Sequence, residues 1–459
     1  MDDHVMGGGP RYSRRQAFVA SAGAAAALYA MGCSSGESSA SGEVDVLWDW
    51  SYNGPPGKVG QFWREVRKRL AEDDSGPQIG QLSSVAFENV QQKIEAFHDS
   101  QSGPALEPWY PAWNAFIYYK QDVLAPLDDY ISEEELSHWL LTRDSRFDGN
   151  YYAASVVAEI AVLAVNRKLF EGAGVEVEDR FDSYEAFLDA CDRLKAAGTT
   201  PIMCGASDAF NAEKWFEFLS QRSLDTPAQY PRAVTGDEPL DGPVMGSWID
   251  DLIVLRDEYM NPNPDEINET VATNRFLGGE AAMMLMYPAA VFDPKVSRSE
   301  FDVVGFPSGP GAFSRPIIGA GTDMQMVKYG EDLESAGQIL EFIHQPEQTK
   351  LWWELTYNLP TDDRFDASVL TPTARRAWDL IIDNRDEVFP ILWPDNFVPF
   401  EVYEANSNGT AQRVLAGASA AEARDAQRKV FTDFADRNPD QVEVLAEYAR
   451  TIDAEVESG

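Results

Sequence analysis

The 459-residue chain carries 76 Asp and Glu against 37 Lys and Arg, a formal charge of −39. That excess repels phosphate backbones at long range, which excludes a nucleic-acid clamp and disfavours anionic membrane surfaces. With 44% hydrophobic and 12% aromatic residues the chain is not a solvated acidic polymer, and its length exceeds what one core usually serves, so two lobes are expected. The acids are spread along the whole chain and Arg outnumbers Lys, the pattern of a halophile's surface. At about 1 M salt the Debye length falls to roughly 3 Å and quenches a self-repulsion that dilute buffer would leave in place.

Residues 11–33 (RYSRRQAFVASAGAAAALYAMGC) read as an export signal: paired arginines, an apolar run too short and Ala/Gly-rich for a spanning helix, then Gly32-Cys33. Ser13-Arg14-Arg15 resembles the twin-arginine signal, a route for folded proteins that haloarchaea use heavily. Ala30-Met31-Gly32-Cys33 resembles a lipobox, which would make Cys33 the lipidated first residue of the mature protein; cleavage without lipid, or an uncleaved anchor, is the alternative. The stretch 34–43 (SSGESSASGE) is a flexible spacer with nothing to bury. The protein is therefore expected to be exported and held on the outer face of the cytoplasmic membrane.

From Val44 the pattern becomes βα. Val44–Trp50 alternates as a strand, Ser51–Pro56 is turn chemistry, and Lys58–Leu70 gathers Val59, Phe62, Trp63, Val66 and Leu70 on one helical face. A strand over Gln78–Ser84, a helix over Val85–Asp99 and a short strand at Pro104-Ala105-Leu106 follow, the last leading to Trp109-Tyr110-Pro111. Tyr151–Val165 is a long apolar stretch interrupted only by Glu159 and reads as a crossing strand. A capped helix spans Ser183–Ala197 and a strand Pro201–Gly205. Helices are expected around 211–223 and 245–260, a helix-to-strand run at Phe276–Met286 and a strand at Val303–Pro307. Pro316–Val327 recrosses, Glu331–Tyr357 is helical, and the rest is helix-rich. Cys191 and Cys204 read as buried thiols, with a disulfide left open because they lie in adjacent elements of an exported protein.

The chain contains no phosphate-cradling G-x-x-x-x-G-K-[ST] loop, no H-E-x-x-H, no G-x-S-x-G elbow and no Cys/His metal spacing, and its histidines, His4, His98, His138 and His344, are scattered. No enzyme chemistry, metal or cofactor is expected. What stands out is aromatic residues at loop positions: Trp48, Trp50, Tyr52, Trp109, Tyr110, Trp113, Phe210, Trp215, Tyr287, Trp393, Phe400 and Tyr403. A pyranose stacks its C–H face on such rings, and its hydroxyls need carboxylate, amide or backbone partners in a dry cleft. Core packing is the competing reading, strongest for Trp48 and Trp215. Trp50, Trp109 and Tyr287 sit at strand ends, where ligands of open α/β sheets collect.

Several segments, in order, resemble the extracellular solute-binding proteins of carbohydrate ABC importers. They are Glu159–Phe170 (EIAVLAVNRKLF), Ala173-Gly174-Val175, Phe276–Met283 (FLGGEAAM), the Gly-rich return strand Pro316–Val327, Leu359-Pro360-Thr361 and Val414–Gly417 with Ala421–Ala423. The resemblance implies a type II periplasmic-binding fold, two α/β lobes hinged around a cleft: 44–157 plus 316–358, and 158–315 plus 359–459. It implies a monomer that captures a sugar and delivers it to membrane permease subunits, with the ATPase on a separate chain. Carried over by position, Glu159 would bind sugar hydroxyls, Phe210 would be an aromatic contact and Trp109–Asn114 a ligand loop. The full expected site is Trp50, Tyr52, Asn53, Trp109, Tyr110, Trp113, Asn114, Glu159, Phe210, Asn211, Tyr287, Gly319, Trp393, Phe400 and Tyr403. Where the family often continues Ala-Ala-Met to Gly-x-Trp, this chain has Tyr287-Pro288-Ala289. Asn268 and Asn408 begin glycosylation sequons. A glycerol phosphate or polyol binder, for which Arg315 would be the cation, and a secreted carbohydrate hydrolase remain the rivals, with a surface-structural protein behind them. Glu159→Gln and Trp109→Ala are expected to weaken binding without unfolding the chain.

Overall fold

The computed structural model describes residues 43–48, 58–73, 75–85, 87–177, 179–208, 210–295, 300–315, 317–383, 385, 389 and 393–458. The export signal, Cys33 and the spacer lie outside the described residues. Eight strands form one mixed sheet: β1 Glu43–Trp48, β2 Gln78–Ser84, β3 Leu106–Trp109, β4 Ala153–Asn166, β5 Thr200–Met203, β6 Ala281–Met286, β7 Phe301–Val304 and β8 Ile318–Met326. Their order is β2-β1-β3-β8-β4-β6-β5, with β7 also paired to β4.

The 14-residue β4 joins two halves of this sheet. Its sequence, AASVVAEIAVLAVN, is almost wholly apolar, as expected of a strand covered on both faces. Ala153–Ala161 pairs antiparallel with β8, and Val162–Asn166 pairs with β6 and β7. β8 in turn pairs with β3, so both crossing strands tie β1, β2 and β3 to the far half. The β4–β8 ladder shifts register between Thr322 and Asp323, with Val157 opposite the first and Ser155 opposite the second. Such a bulge strengthens the local twist where the chain passes from one half to the other. The segment after Thr356 is a third connection, in which Ala158 bridges to Leu359 and Leu140 N–H donates to Thr361 O at 2.7 Å.

Each half has its own core. Val44, Val46, Trp48, the Val59/Phe62/Trp63/Val66/Leu70 face and Ile339, Leu340 and Trp352 pack under β1. Val162, Ala164, Met284, Met286, Phe276 and Trp378 pack around the second half of β4. A third cluster runs from Trp109, Trp113 and Phe116 through Trp215 and Phe306 to Tyr448. Trp48 and Trp215 are thus core residues. Cys191 and Cys204 are free buried thiols; burial raises both, Cys204 to about 12.

Local chemistry sets most boundaries. Ser183 caps the helix Tyr184–Ala196 by accepting from Ala186 N–H, and Gly198 beyond it takes φ +79°, which a side chain would resist. The expected helix over 331–357 is two helices, Leu333–His344 and Pro346–Thr356, because Pro346 cannot continue the first and opens the second. Pro104-Ala105-Leu106 is extended two residues later than expected, as Leu106–Trp109. Its register is set by Gln325, Met324 and Asp323 of β8, a partner distant in sequence. Tyr151 is split from β4, pairing with Arg146 in a short hairpin.

Candidate functional site

β3 delivers Trp109 to the edge of the first half, and Tyr110-Pro111-Ala112 turns the chain into the helix Trp113–Lys120. Ala112 holds φ 61° and ψ −123°, a strained conformation for a residue with a Cβ, between two indoles. Trp109, Trp113 and Asn114 are 3%, 4% and 8% exposed, yet all three line a cavity of about 820 Å³. Its opposite wall is Pro399, Phe400, Glu401 and Glu404, with Phe434 and Gln441 beyond. Those residues belong to the C-terminal helices, which pack on the helices Phe210–Gln221 and Ser247–Glu258 of the second half. The segment is helical at Phe400–Tyr403, takes a π-helical turn over Glu404–Asn408 and resumes at Gly409–Leu415. Such turns recur where a helix is bent for a function. Tyr110, half-buried, sets its ring 5.5 Å from that of Trp109. His98, which lines the cavity, meets Glu107 Oε1 through Nε2 at 2.6 Å, and the Tyr329 hydroxyl donates to Glu107 Oε2 at 3.3 Å. Burial pushes the Glu107 carboxyl up, opposed by His98.

A second wall lies where β6 ends. The Tyr287 ring is stacked on Trp393 at 5.7 Å and 18°, and the Lys214 ammonium lies over the Tyr287 ring, 4.1 Å from its centroid. Lys214, fully buried, is also 3.6 Å from Glu269 Oε1. Beside it the Tyr403 hydroxyl donates to Glu213 Oε2 at 2.6 Å. Burial lifts the Glu213 carboxyl to about 7, with Lys214 and Tyr403 pulling the other way. Burial and then the neighbouring Asp395 raise Glu217 well above the usual carboxylate range. Asp395 is raised by burial and then by Glu213, and Ser407 donates to it. All three acids are raised because their buried environment cannot solvate several charges together.

Glu159 sits on β4 opposite Ala320, accepting from the Thr322 hydroxyl at 2.7 Å; burial raises its carboxyl and the Thr322 bond opposes this. Gly319 lies against the Glu159 carbonyl and Ile160 Cα, where a Cβ would collide. Asn211 is fully buried and donates to Leu285 O at 2.6 Å, so it anchors its helix to β6. Phe210 begins that helix, and its side chain lies outside the described residues, as do Trp50, Tyr52 and Asn53. Asn268 is exposed and caps the helix Glu269–Leu277, whereas Asn408 lies in the π-helical turn with Thr410 buried. Arg315 is buried, donating to Ala312 O at 3.2 Å.

The sequence-expected residues thus gather in three places. Trp109, Trp113, Asn114 and Phe400 line the cavity with Tyr110 packed against Trp109, Tyr287, Trp393 and Tyr403 form the second wall, and Glu159 and Gly319 lie on the crossing strands. Sequence reasoning missed Glu213, Lys214, Glu217 and Asp395. The signal available was two acids four apart in FNAEKWFEFL, a segment otherwise too apolar for a solvated helix face.

No curated protein matches the chain by sequence. Among solved structures, the bacterial solute receptor AcbH, described as exclusively preferring β-D-galactopyranose, is similar with TM-score 0.72 at 14% identity. That likeness covers 86% of this chain and 99% of the receptor. A chitin oligosaccharide binding protein matches with TM-score 0.68 at 18% identity, covering 85% and 98%. A probable secreted solute-binding lipoprotein from Streptomyces coelicolor matches with TM-score 0.69 at 19%, covering 86% and 99%. These likenesses establish the two-lobed binding-protein fold. Residues 54–350 match the bacterial extracellular solute-binding proteins, and the chain belongs to that family.

Proposed function

We propose that this protein is the substrate-binding component of an ABC importer that captures an extracellular sugar and delivers it to a membrane permease, with the ATPase on a separate chain. The observation that carries the reading is the cavity of about 820 Å³ whose indoles come from the first half of the sheet and whose Phe400, Glu401 and Glu404 come from helices packed on the second. Rings offer stacking faces, carboxylates and Asn114 offer hydroxyl partners, and the volume lies in the upper range for small-molecule sites, about 300–1,000 Å³. The neighbours' names, a galactopyranose receptor and a chitin oligosaccharide binding protein, point to the same ligand class.

The lobes are 44–157 plus 316–358, and 158–315 plus 359–459. Ligand contacts from both lobes stabilise a closed state over an open one differing by a few kcal/mol, and the permease reads the closed shape. The protein performs binding without covalent chemistry, as a monomer tethered through lipidated Cys33 and working in high salt. Asn268 is the sequon open to modification on the folded chain. No helix among the described residues is long and apolar enough to cross a membrane.

The test is a thermal-shift panel on residues 34–459 in molar KCl, with mono-, di- and oligosaccharides, polyols and glycerol phosphate. A ligand at about 100 times its Kd adds roughly 2.7 kcal/mol and raises Tm by several degrees. A response confined to polyols or glycerol phosphate would replace the sugar reading, and consumption of the sugar would replace binding with hydrolysis.

A further inference from the structure

The helix Phe210–Gln221 turns one face toward the end of β6, and two side chains on that face, one helical turn apart, grip two alternate positions of the chain there. Asn211 holds the Leu285 carbonyl at 2.6 Å, and Lys214 sets its ammonium 4.1 Å from the centre of the Tyr287 ring. An ammonium with no exposed surface is costly to place beside a ring when Arg or water could have taken the charge elsewhere. It is retained among Glu269, whose Oε1 is 3.6 Å away, the neighbouring Glu213, and Tyr287. On the Tyr287 ring also stacks Trp393, from a segment more than a hundred positions onward in the chain.

We propose that Lys214 is a positioning residue of the sugar site: its buried ammonium fixes the plane of Tyr287, and through it the Tyr287–Trp393 platform. The role rests on the reading that this platform contacts the ligand. Lys214 itself does not touch the sugar. A cation beneath a ring selects one ring face and one tilt, which an apolar side chain of equal length would leave free to slide. Stacking a pyranose requires that tilt to be set before the ligand arrives, because ordering a loose ring on binding weakens affinity.

The experiment uses the full mature chain with 3-fluorotyrosine placed only at position 287, in the wild type, Lys214→Met and Lys214→Arg. Calorimetric titration with galactose, raffinose and a chitin trisaccharide runs in parallel, with Tyr287→Leu as a further variant. Lys214→Met is expected to move the fluorine resonance and weaken binding about tenfold, the order of a desolvated cation–π contact, and to lower Tm because Glu269 and Glu213 lose their cation, while Lys214→Arg restores the resonance and the affinity. An unmoved resonance in Lys214→Met overturns the proposal, whether or not any of the three sugars binds. Unchanged affinity in Tyr287→Leu overturns the platform reading instead, and with it the positioning role. Should Lys214→Met fail to fold, Lys214→Gln carries the same comparison.

Discussion

The two aromatic walls are built on opposite principles. The Trp109–Asn114 wall is contiguous in sequence, uncharged, and continuous with the largest core cluster. The Tyr287–Trp393 wall is assembled from separate segments over a buried ammonium and three buried acids, Glu213, Glu217 and Asp395. One wall is held mainly by packing, with the single His98–Glu107 pair beside it, while the other is held over a cluster of buried charges. Aromatic rings at a binding surface therefore do not share a common mode of failure.

The largest expected effect breaks the first wall. Trp109 is 3% exposed, so Trp109→Ala, besides weakening binding, should cost about 3–5 kcal/mol in a urea melt. A loss near zero would mean that the indole is merely docked on the cavity. On the second wall, Asp395→Asn should raise stability at pH 8 by on the order of 1 kcal/mol and leave it nearly unchanged near pH 3, below the ordinary 3.8 of the acid, because burial and Glu213 raise the Asp395 carboxyl in the folded state. Equal gains at both pH values would show that the acids are not the cause.

The wild-type profile follows from the same sign. A carboxyl raised in the folded state keeps its proton after the unfolded chain has released it, so the folded state binds more protons and stability falls as pH rises toward the folded value. For Glu213 that window runs from 4.5 to about 7, and Glu107, Glu217 and Asp395 act in the same direction. Buried His344 opposes them only on acidification through its ordinary 6.5, since burial lowers its affinity for a proton. Thermal melts should therefore show stability declining as pH rises from 4.5 toward 7, and a rising limb there would contradict the buried-acid assignment. The smallest effect is Glu159→Gln, expected to weaken sugar affinity by about 1 kcal/mol, one hydrogen bond's worth, with Tm unchanged. No change in calorimetric affinity would remove Glu159 from the site.

The first wall was legible because its signals are local. A strand ending in Trp109-Tyr110-Pro111, followed by a helix carrying Trp113, can be read from a dozen consecutive residues. The crossing strand was equally plain, since Ala153–Asn166 is too long and apolar for anything but a strand covered on both faces. The boundary of β3 was missed, because it is fixed by Asp323–Met326 and nothing near Pro104 announces that partner. Glu213, Glu217 and Asp395 stayed hidden for a related reason. In a chain of 76 acids a buried carboxylate looks like a surface one until its neighbours are known.

The antiparallel pairing of β3 with β8 also bears on the order in which the molecule can be made. Trp109 is matched to Asp323, so during synthesis the early strands wait, with one long edge open, until the ribosome has passed residue 326. Pairings of such separation form slowly, and an unpaired edge invites association with other chains. A fragment ending before β8 would expose that edge permanently. The newborn chain therefore carries an unpaired edge for most of its own translation, until Ile318–Met326 arrives to close it.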